Sequence, residues 1–490
     1  MPYCLPTDSA DEAKKSGQLP GDLCDPMTHD VDLVILGAGS AGYVGAIRAA
    51  QLGMRVTILD PSPVGGTCLH DGCIPTKALL EVSGFLRSLA ESARFGVSVS
   101  SSLPDPDKLS TFRSGIIDRL TRGIEFLFKK HGITHIRAKG TLVAPGIVRI
   151  LDGTPREIRG RFVLLSTGSR PRPLPGLAFD GRQILSSTDL LRRSRFDGRV
   201  AIVGGGAIGC EFADILSAFG SRVFLLEKEP RILPLEDTEL GEALARELSG
   251  MGVEVRTGVS SLTVVPGASD VSIRFGDGGG REEDVRVDAV LVAIGREPVT
   301  EGLGLENLGL ATGKGGFLPL DPFGETSVRG LYAAGDLAGG YLLAHKASHE
   351  AIVAVEAMAG RNPRSLDPAL VPRVVYTHPE VVSIGLTKAQ AEREGVSVVE
   401  GRFPLMANGR SLIEGNRRGF FKVLSDRETG RLVGFHGIGP HVSEMVATVA
   451  VAMAGKEGAS QIMDGIFPHP TVSEALHEAF LDLAGLAIHR

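Results

Sequence analysis

Twice along the chain a short apolar run, a cluster of glycines and a helically spaced stretch follow one another in the same order. The first copy, VDLVILGAGSAGYVGAIRAAQLGMRVTILD at 31–60, passes from an apolar run of strand length through Gly37, Gly39 and Gly42. Helical spacing comes next, and a second apolar run ends at Asp60. The second copy, RVAIVGGGAIGCEFADILSAFGSRVFLLE at 199–227, repeats the design with Gly204, Gly206, Gly209 and a terminal Glu227. The acid stands 23 residues beyond the first glycine in both copies (37 to 60, 204 to 227). One GxGxxG alone is a weak signal. Two, each between strand and helix and each with an acid at the expected distance, predict two dinucleotide sites.

The glycines let a pyrophosphate reach backbone N–H groups at a helix N-terminus, where the dipole favours negative charge. The acid then accepts hydrogen bonds from ribose hydroxyls. Glu227 would repel a 2′-phosphate, so the second site favours NAD over NADP, a preference tempered by Arg222, Lys228 and Arg231 nearby in sequence.

Further strand-then-glycine segments are FVLLSTGSRPRPLPG (162–176), with Thr167 and Gly168, and DAVLVAIGREP (288–298), with Gly295. GLYAAGDLAGG (330–340) puts Asp336 just past an apolar strand, well placed to bond a sugar or ribityl hydroxyl. After about residue 366 the texture changes: VPRVVYTHPEVVSIGL, FFKVLSD and RLVGFHGIG have β character, and apolar helical stretches follow. The predicted class is α/β, with two Rossmann-like dinucleotide-binding domains and a C-terminal α+β domain. The expected order is an extension over 1–30, a first nucleotide domain over 31–160, an inserted one over 161–288, a return to the first over 289–365, and the C-terminal domain over 366–490.

Composition adds mainly exclusions. The 490 residues are 43% hydrophobic and 22% charged, with net charge -6 and no block of Lys and Arg, which argues against nucleic acid or an anionic membrane as the main partner. VATVAVAMAG (446–455) is too short to span a bilayer and reads as a buried helix. Residues 1–30 have neither the apolar core of a signal peptide nor the arginines of a transit peptide. They read as a flexible extension, and a cytoplasmic location is expected.

The chain has five cysteines, and two of them, Cys68 and Cys73, stand close together in GGTCLHDGCIPTK (65–77). Zinc asks for about four N or S ligands, and the other cysteines (4, 24 and 210) are scattered. An inert pair of thiols and a disulfide remain. In a regular helix five positions would separate the Cα atoms by about 8.7 Å, beyond the roughly 7 Å a disulfide tolerates. A bridge therefore needs a broken helix, which Gly72 permits and Pro75 helps by withholding an N–H from the carbonyl of residue 71. So short a loop constrains little of the unfolded chain, which favours a redox role over a staple.

With Gly-rich turn, acid and GGTCLHDGCIPTK in that order, the chain resembles the pyridine nucleotide–disulfide oxidoreductases from about residue 31 to its end. The resemblance implies FAD on the first nucleotide domain, NAD on the second, a redox disulfide, and a homodimer formed through the C-terminal domain. Carried over, Gly37, Gly39, Gly42, Asp60, Gly66, Thr67, Lys77, Thr167, Gly168, Asp336, Leu343, Ala344 and His345 would serve FAD. Gly204, Gly206, Ile208, Gly209, Glu227 and Gly295 would serve NAD. Cys68 would exchange with substrate, Cys73 would face the flavin, and Lys77 would pair with Glu211 beside it. No metal is implied.

Within the family, LLAHKA (342–347) and HPTVSEALHEA (469–479) are most similar to the dihydrolipoamide dehydrogenase branch, which implies a lipoylated carrier protein as partner. His469, from the second subunit, would be the base for a dithiol, oriented by Glu474. Thr471-Val472-Ser473-Glu474 also fits an N-terminal capping box, which would explain Glu474 by itself. The neighbouring possibility is a relative that uses NAD(P)H to reduce another disulfide, a quinone or an electrophile. Departures from the family pattern are Asp60 for the usual Glu, His70-Asp71 between the cysteines for Asn-Val, Phe467 for a second histidine, and the tail with Cys4 and Cys24.

Overall fold

The computed structural model describes residues 29–99, 104–153, 156–415, 418–455 and 458–489. The expected extension, with Cys4 and Cys24, lies outside the described residues apart from residues 29 and 30. Chain contacts divide the protein into two compact units.

The first unit comprises the chain up to Gly66 together with Gly123–Gly168 and Pro298–Leu366. Its centre is a sheet in the order Thr134–Ile136, Val56–Leu59, Val31–Leu36, Glu157–Leu165, Ile147–Ile150, Gly140–Ala144, with Leu331–Ala333 also paired to Glu157–Leu165. The strands around Val31–Leu36 run parallel. Leu33, Val34, Ile35 and Leu36 are buried, as the unbroken apolar run requires of a strand covered on both faces. Helices Ser40–Gln51 and Ala344–Met358 pack on each other, and a side chain at Gly45 would press on Leu164 and Ala351, 3.1 and 3.4 Å away.

The second unit comprises Thr67–Arg122, Ser169–Glu297 and Asp367–Arg490. It holds a second parallel sheet, in the order Glu254–Arg256, Arg222–Leu226, Arg199–Val203, Ala289–Val292, Ile184–Leu185. A three-stranded antiparallel sheet spans Ser261–Pro266, Val271–Gly276 and Glu282–Val287. A five-stranded antiparallel sheet is built from Arg373–Val375, Glu380–Gly385, Leu432–Gly439, Phe420–Asp426 and Val398–Pro404. One core joins Leu79 and Leu80 of helix Cys73–Ala90, Phe212 and Leu216 of helix Ala207–Ala218, and Val375 and Phe420 of the last sheet. Two nucleotide-type sheets and a C-terminal antiparallel sheet with helices match the expected class.

Helix Val442–Ala454 departs from the sequence reading. It buries Val446, Val449 and Ala452 but leaves Val451 74% exposed, so it is one-sided rather than covered all round. Among the described residues no helix is long and apolar enough to cross a membrane.

Candidate active site

Cys68 and Cys73 are joined by a disulfide with their Cα atoms 4.7 Å apart. The helix Gly66–His70 stops, Asp71 and Gly72 turn, and a new helix runs Cys73–Ala90. Gly72 supplies the break: its φ and ψ of −149° and −112° are non-helical, and a Cβ there would meet the Thr67 carbonyl at 2.9 Å. Pro75 plays a different part from the one expected. It lies in the first turn of the new helix, where N–H groups have no partner within the helix to lose. Cys73 is the first residue of that helix, so the dipole favours its thiolate once the bridge is opened. Asp71 pairs with Arg192 Nη2 at 3.2 Å, a partner that sequence spacing gave no reason to choose.

One turn beyond Cys73, Lys77 Nζ bonds both oxygens of Glu211 at 2.9 Å. Glu211 is almost fully buried and also accepts from the Tyr376 N–H at 3.0 Å. Lys77 lies 4.5 Å from the centre of the Tyr376 ring, whose hydroxyl is pushed up by burial and then by the Glu211 charge. Three residues further along the same helix, Asp214 is completely buried and collects Ser83 Oγ, Arg87 and both the N–H and ring of His378. Sequence reasoning missed this second acid. The signal was two acids three apart in an otherwise apolar helix, a spacing that puts both on one face.

Burial opposes the charge on Asp214, yet bonds from His378 and Ser83 and the Arg87 charge hold its carboxyl below the usual range. Asp214→Ala is expected to cost about 3 kcal/mol, since it strips a buried network of its acceptor. A depressed carboxyl gives stability that is present above the ordinary carboxylate value and lost as pH falls through the folded one. In urea titrations the gap between wild type and variant should therefore close below about pH 4.

The two glycine turns are built alike. Gly37 and Gly204 have φ of 101° and 111°, and a Cβ on either would strike the carbonyl of Ser166 or Ala293. A Cβ on Gly42 or Gly209 would strike the carbonyl of the first glycine of its own motif. The middle glycines differ. Gly39 would meet only Gly66 Cα, at 3.8 Å, and Gly206 would meet nothing within 4 Å. Protein packing explains the outer glycines, whereas the middle ones front open space of the kind a pyrophosphate would fill. Each acid already braces its turn. Asp60 accepts from the Ala38 and Ser62 N–H groups at 2.7 and 2.8 Å, and Glu227 from Gly205 and Glu229 at 2.6 and 2.8 Å. Gly39→Val is expected to give folded protein with little FAD, read as a lower flavin-to-protein absorbance ratio at an unchanged circular dichroism spectrum.

The remaining first-unit candidates flank that turn's sheet. Thr167 bonds the Val299 carbonyl at 2.6 Å, and Gly168 accepts from the Val299 N–H at 3.0 Å. Asp336 lies in the turn Gly335–Ala338, and Leu343, Ala344 and His345 open helix Ala344–Met358. A buried pair not foreseen, Lys346–Glu350, holds the intervening loop: Lys346 donates to Gly339 O at 2.8 Å, and Glu350 accepts from the Gly335 N–H at 3.0 Å. In the second unit, Ile208 follows Gly206 at the start of helix Ala207–Ala218, and Gly295 accepts from the Arg172 N–H at 3.0 Å.

Glu474 makes the contact expected of each reading. Its Oε1 meets His469 Nδ1 at 2.9 Å and its Oε2 accepts from the Thr471 N–H at 2.9 Å. The capping box is half formed, because helix Ser473–Asp482 starts one residue late and Thr471 Oγ1 turns to Pro468 O and Ser473. Burial, the largest single influence, raises the Glu474 carboxyl, but the Thr471 and His469 bonds with the nearby histidines together outweigh it and leave the group below its usual range. His469 is 79% exposed. Phe467, in the place of a second histidine, stacks on His477 at 4.7 Å.

Two dinucleotide turns, a disulfide at a helix start and a carboxylate-held imidazole define a nucleotide-dependent disulfide oxidoreductase. The pyridine nucleotide-disulphide oxidoreductase model matches residues 31–351, and the dimerisation domain of the same group matches 371–480. Dihydrolipoyl dehydrogenase from Bacillus subtilis is 40% identical over 94% of this chain and 100% of its own. Dihydrolipoyl dehydrogenase 3 of Pseudomonas aeruginosa is 39% identical over the same shares. Among solved structures, LpdA from Mycobacterium tuberculosis superposes with a TM-score of 0.85 at 27% identity, over 92% of this chain and 98% of that one. The chain belongs to the pyridine nucleotide-disulphide oxidoreductase family.

Proposed function

We propose that the protein is a dihydrolipoyl dehydrogenase, oxidising the dithiol of a lipoylated carrier protein and reducing NAD⁺ to NADH. The observation that carries this is the Cys68–Cys73 bridge at the start of the Lys77 helix, in a chain whose relatives carry that name over nearly their full length. His469, held by Glu474, takes the first dithiol proton. The resulting thiolate attacks Cys68, breaking the bridge and leaving Cys73 as thiolate, which its helix N-terminus favours. The second substrate thiol then displaces Cys68, releasing lipoyl disulfide and leaving a dithiol on the protein. Gly37, Gly39, Gly42 and Asp60 would hold FAD, which would supply the two-electron acceptor for that dithiol and the hydride for NAD⁺, with Cys68 and Cys73 returning to the disulfide. Gly204, Gly206, Gly209 and Glu227 bind the NAD, and Lys77 with Glu211 supplies a fixed cation beside the disulfide segment.

The match to a dimerisation domain supports a homodimer, and the family resemblance assigns the exposed His469 to the disulfide of the second copy. The test is NADH formation from NAD⁺ and dihydrolipoamide by FAD-loaded protein. No NADH, together with NADH-driven reduction of glutathione disulfide or a quinone, would replace this reading by that of a disulfide or electrophile reductase. Similarity to a flavoprotein disulfide reductase, RclA from Escherichia coli (TM-score 0.79), keeps that outcome a real alternative.

A further inference from the structure

Leu233 is one of two non-glycine residues among the described residues with positive φ, at 50°. A branched side chain is held there only when its surroundings demand it. Its N–H donates to the Gly205 carbonyl at 2.8 Å, while Glu227 accepts from the Gly205 N–H at 2.6 Å. Gly205 is thus held at both its N–H and its carbonyl, immediately before Gly206. Ile232 closes the same turn, since its Cγ2 stands where a Cβ on Gly205 would point.

The strained segment is gripped in turn by the C-terminal antiparallel sheet. Glu236, whose N–H bonds Leu233 O at 2.9 Å, receives Arg373 Nε on both oxygens at 3.0 and 3.1 Å. Lys422 Nζ bonds Asp237 Oδ1 at 2.7 Å and Glu239 Oε1 at 2.8 Å, and Arg402 bonds the other Glu239 oxygen. Lys422 is 2% exposed and Asp237 6%. Against burial, the Lys422 and Arg402 bonds hold the Glu239 carboxyl below its usual range. Replacing a buried ion pair by apolar residues is often neutral for stability, so the buried Lys422–Asp237 pair is read here as fixing position.

We propose that Lys422, Arg373 and Arg402 are positioning residues for NAD: by anchoring Glu236, Asp237 and Glu239 they fix Leu233, and through it the glycine turn that receives the pyrophosphate. This rests on the reading of Gly204–Gly209 as the NAD site. None of the three cations needs to touch the nucleotide, and the dithiol half of the reaction does not depend on them.

The experiment is steady-state kinetics on full-length, FAD-loaded protein, with NAD varied at saturating dihydrolipoamide and the reverse. Lys422→Met is expected to raise KM for NAD about tenfold, leaving kcat, KM for dihydrolipoamide and flavin content as in wild type. Glu236→Gln keeps volume and one of the two acceptors for Arg373, so it folds even if Lys422→Met does not, and should raise KM for NAD by a smaller factor. Gly206→Val reports on the underlying reading: if it leaves KM for NAD unchanged, the site assignment is wrong. If Gly206→Val raises that KM but the folded clamp variants do not, or if they move both KM values together, the positioning role is overturned.

Discussion

Cys68→Ser is expected to lower NADH formation from dihydrolipoamide by at least about 10³-fold, the scale seen when a covalent nucleophile is removed, with FAD retained. Retention follows from where the residues lie. The Gly37–Gly42 turn is stabilised by bonds with Ser166, Asp60 and Gly65, all in the first unit, while both cysteines belong to the second. Cys73→Ser should lose turnover to a similar extent but differ in one respect. Its remaining Cys68 thiolate can attack lipoamide disulfide and free one tethered lipoyl thiol; alkylating that thiol stops it from displacing Cys68 again, and no Cys73 remains to resolve the mixed disulfide. Intact-mass analysis should therefore find the lipoamide adduct on Cys73→Ser and none on Cys68→Ser. Steady turnover in Cys68→Ser would remove the disulfide from the mechanism, and adducts on the opposite variant would exchange the two roles.

How much of this was legible in the sequence depended on whether the signal was local. The glycine turns were, because the glycine spacing and the closing acid lie within one strand–turn–helix–strand segment, although Gly37 and Gly204 also answer to the distant Ser166 and Ala293. The broken helix between the cysteines was also legible, since only backbone geometry was involved, although Gly72 rather than Pro75 makes the break. Glu474 fits both a cap and a dyad partner by its place in the sequence, and each of its oxygens meets one of those neighbours. Contacts between distant segments were not legible: Asp214 gathers Ser83, Arg87 and His378, and Lys422 reaches back 185 residues to Asp237. A buried charge is written in the sequence as an ordinary Asp or Lys, and only the fold shows which ones lose their water. Asp71 illustrates the same limit. Between the cysteines it stands as a departure from the family pattern, and only the fold shows that Arg192 partners it.

His469→Gln should reduce dihydrolipoamide oxidation by about 10²- to 10⁴-fold, the usual worth of a positioned base. The loss should be confined to the dithiol half. NADH-driven reduction of an artificial quinone has no thiol to deprotonate, and should run in the variant at the wild-type rate. Glu474→Gln should fall between, because a single amide oxygen cannot serve both the imidazole Nδ1 and the Thr471 N–H as the carboxylate does. The pH dependence separates orientation from proton transfer. The Glu474 carboxyl titrates below the ordinary value of about 4.3, so what its charge contributes is present above that value and lost only as pH falls through the lowered one. Activity lost between about pH 7 and 5, where an imidazole titrates, must then come from a group other than Glu474. If wild type and Glu474→Gln lose activity over the same range but from different plateaus, the carboxylate aligns the base. If the acid-side loss disappears in Glu474→Gln while His469→Gln keeps the wild-type plateau, His469 is not the base and the dyad assignment falls.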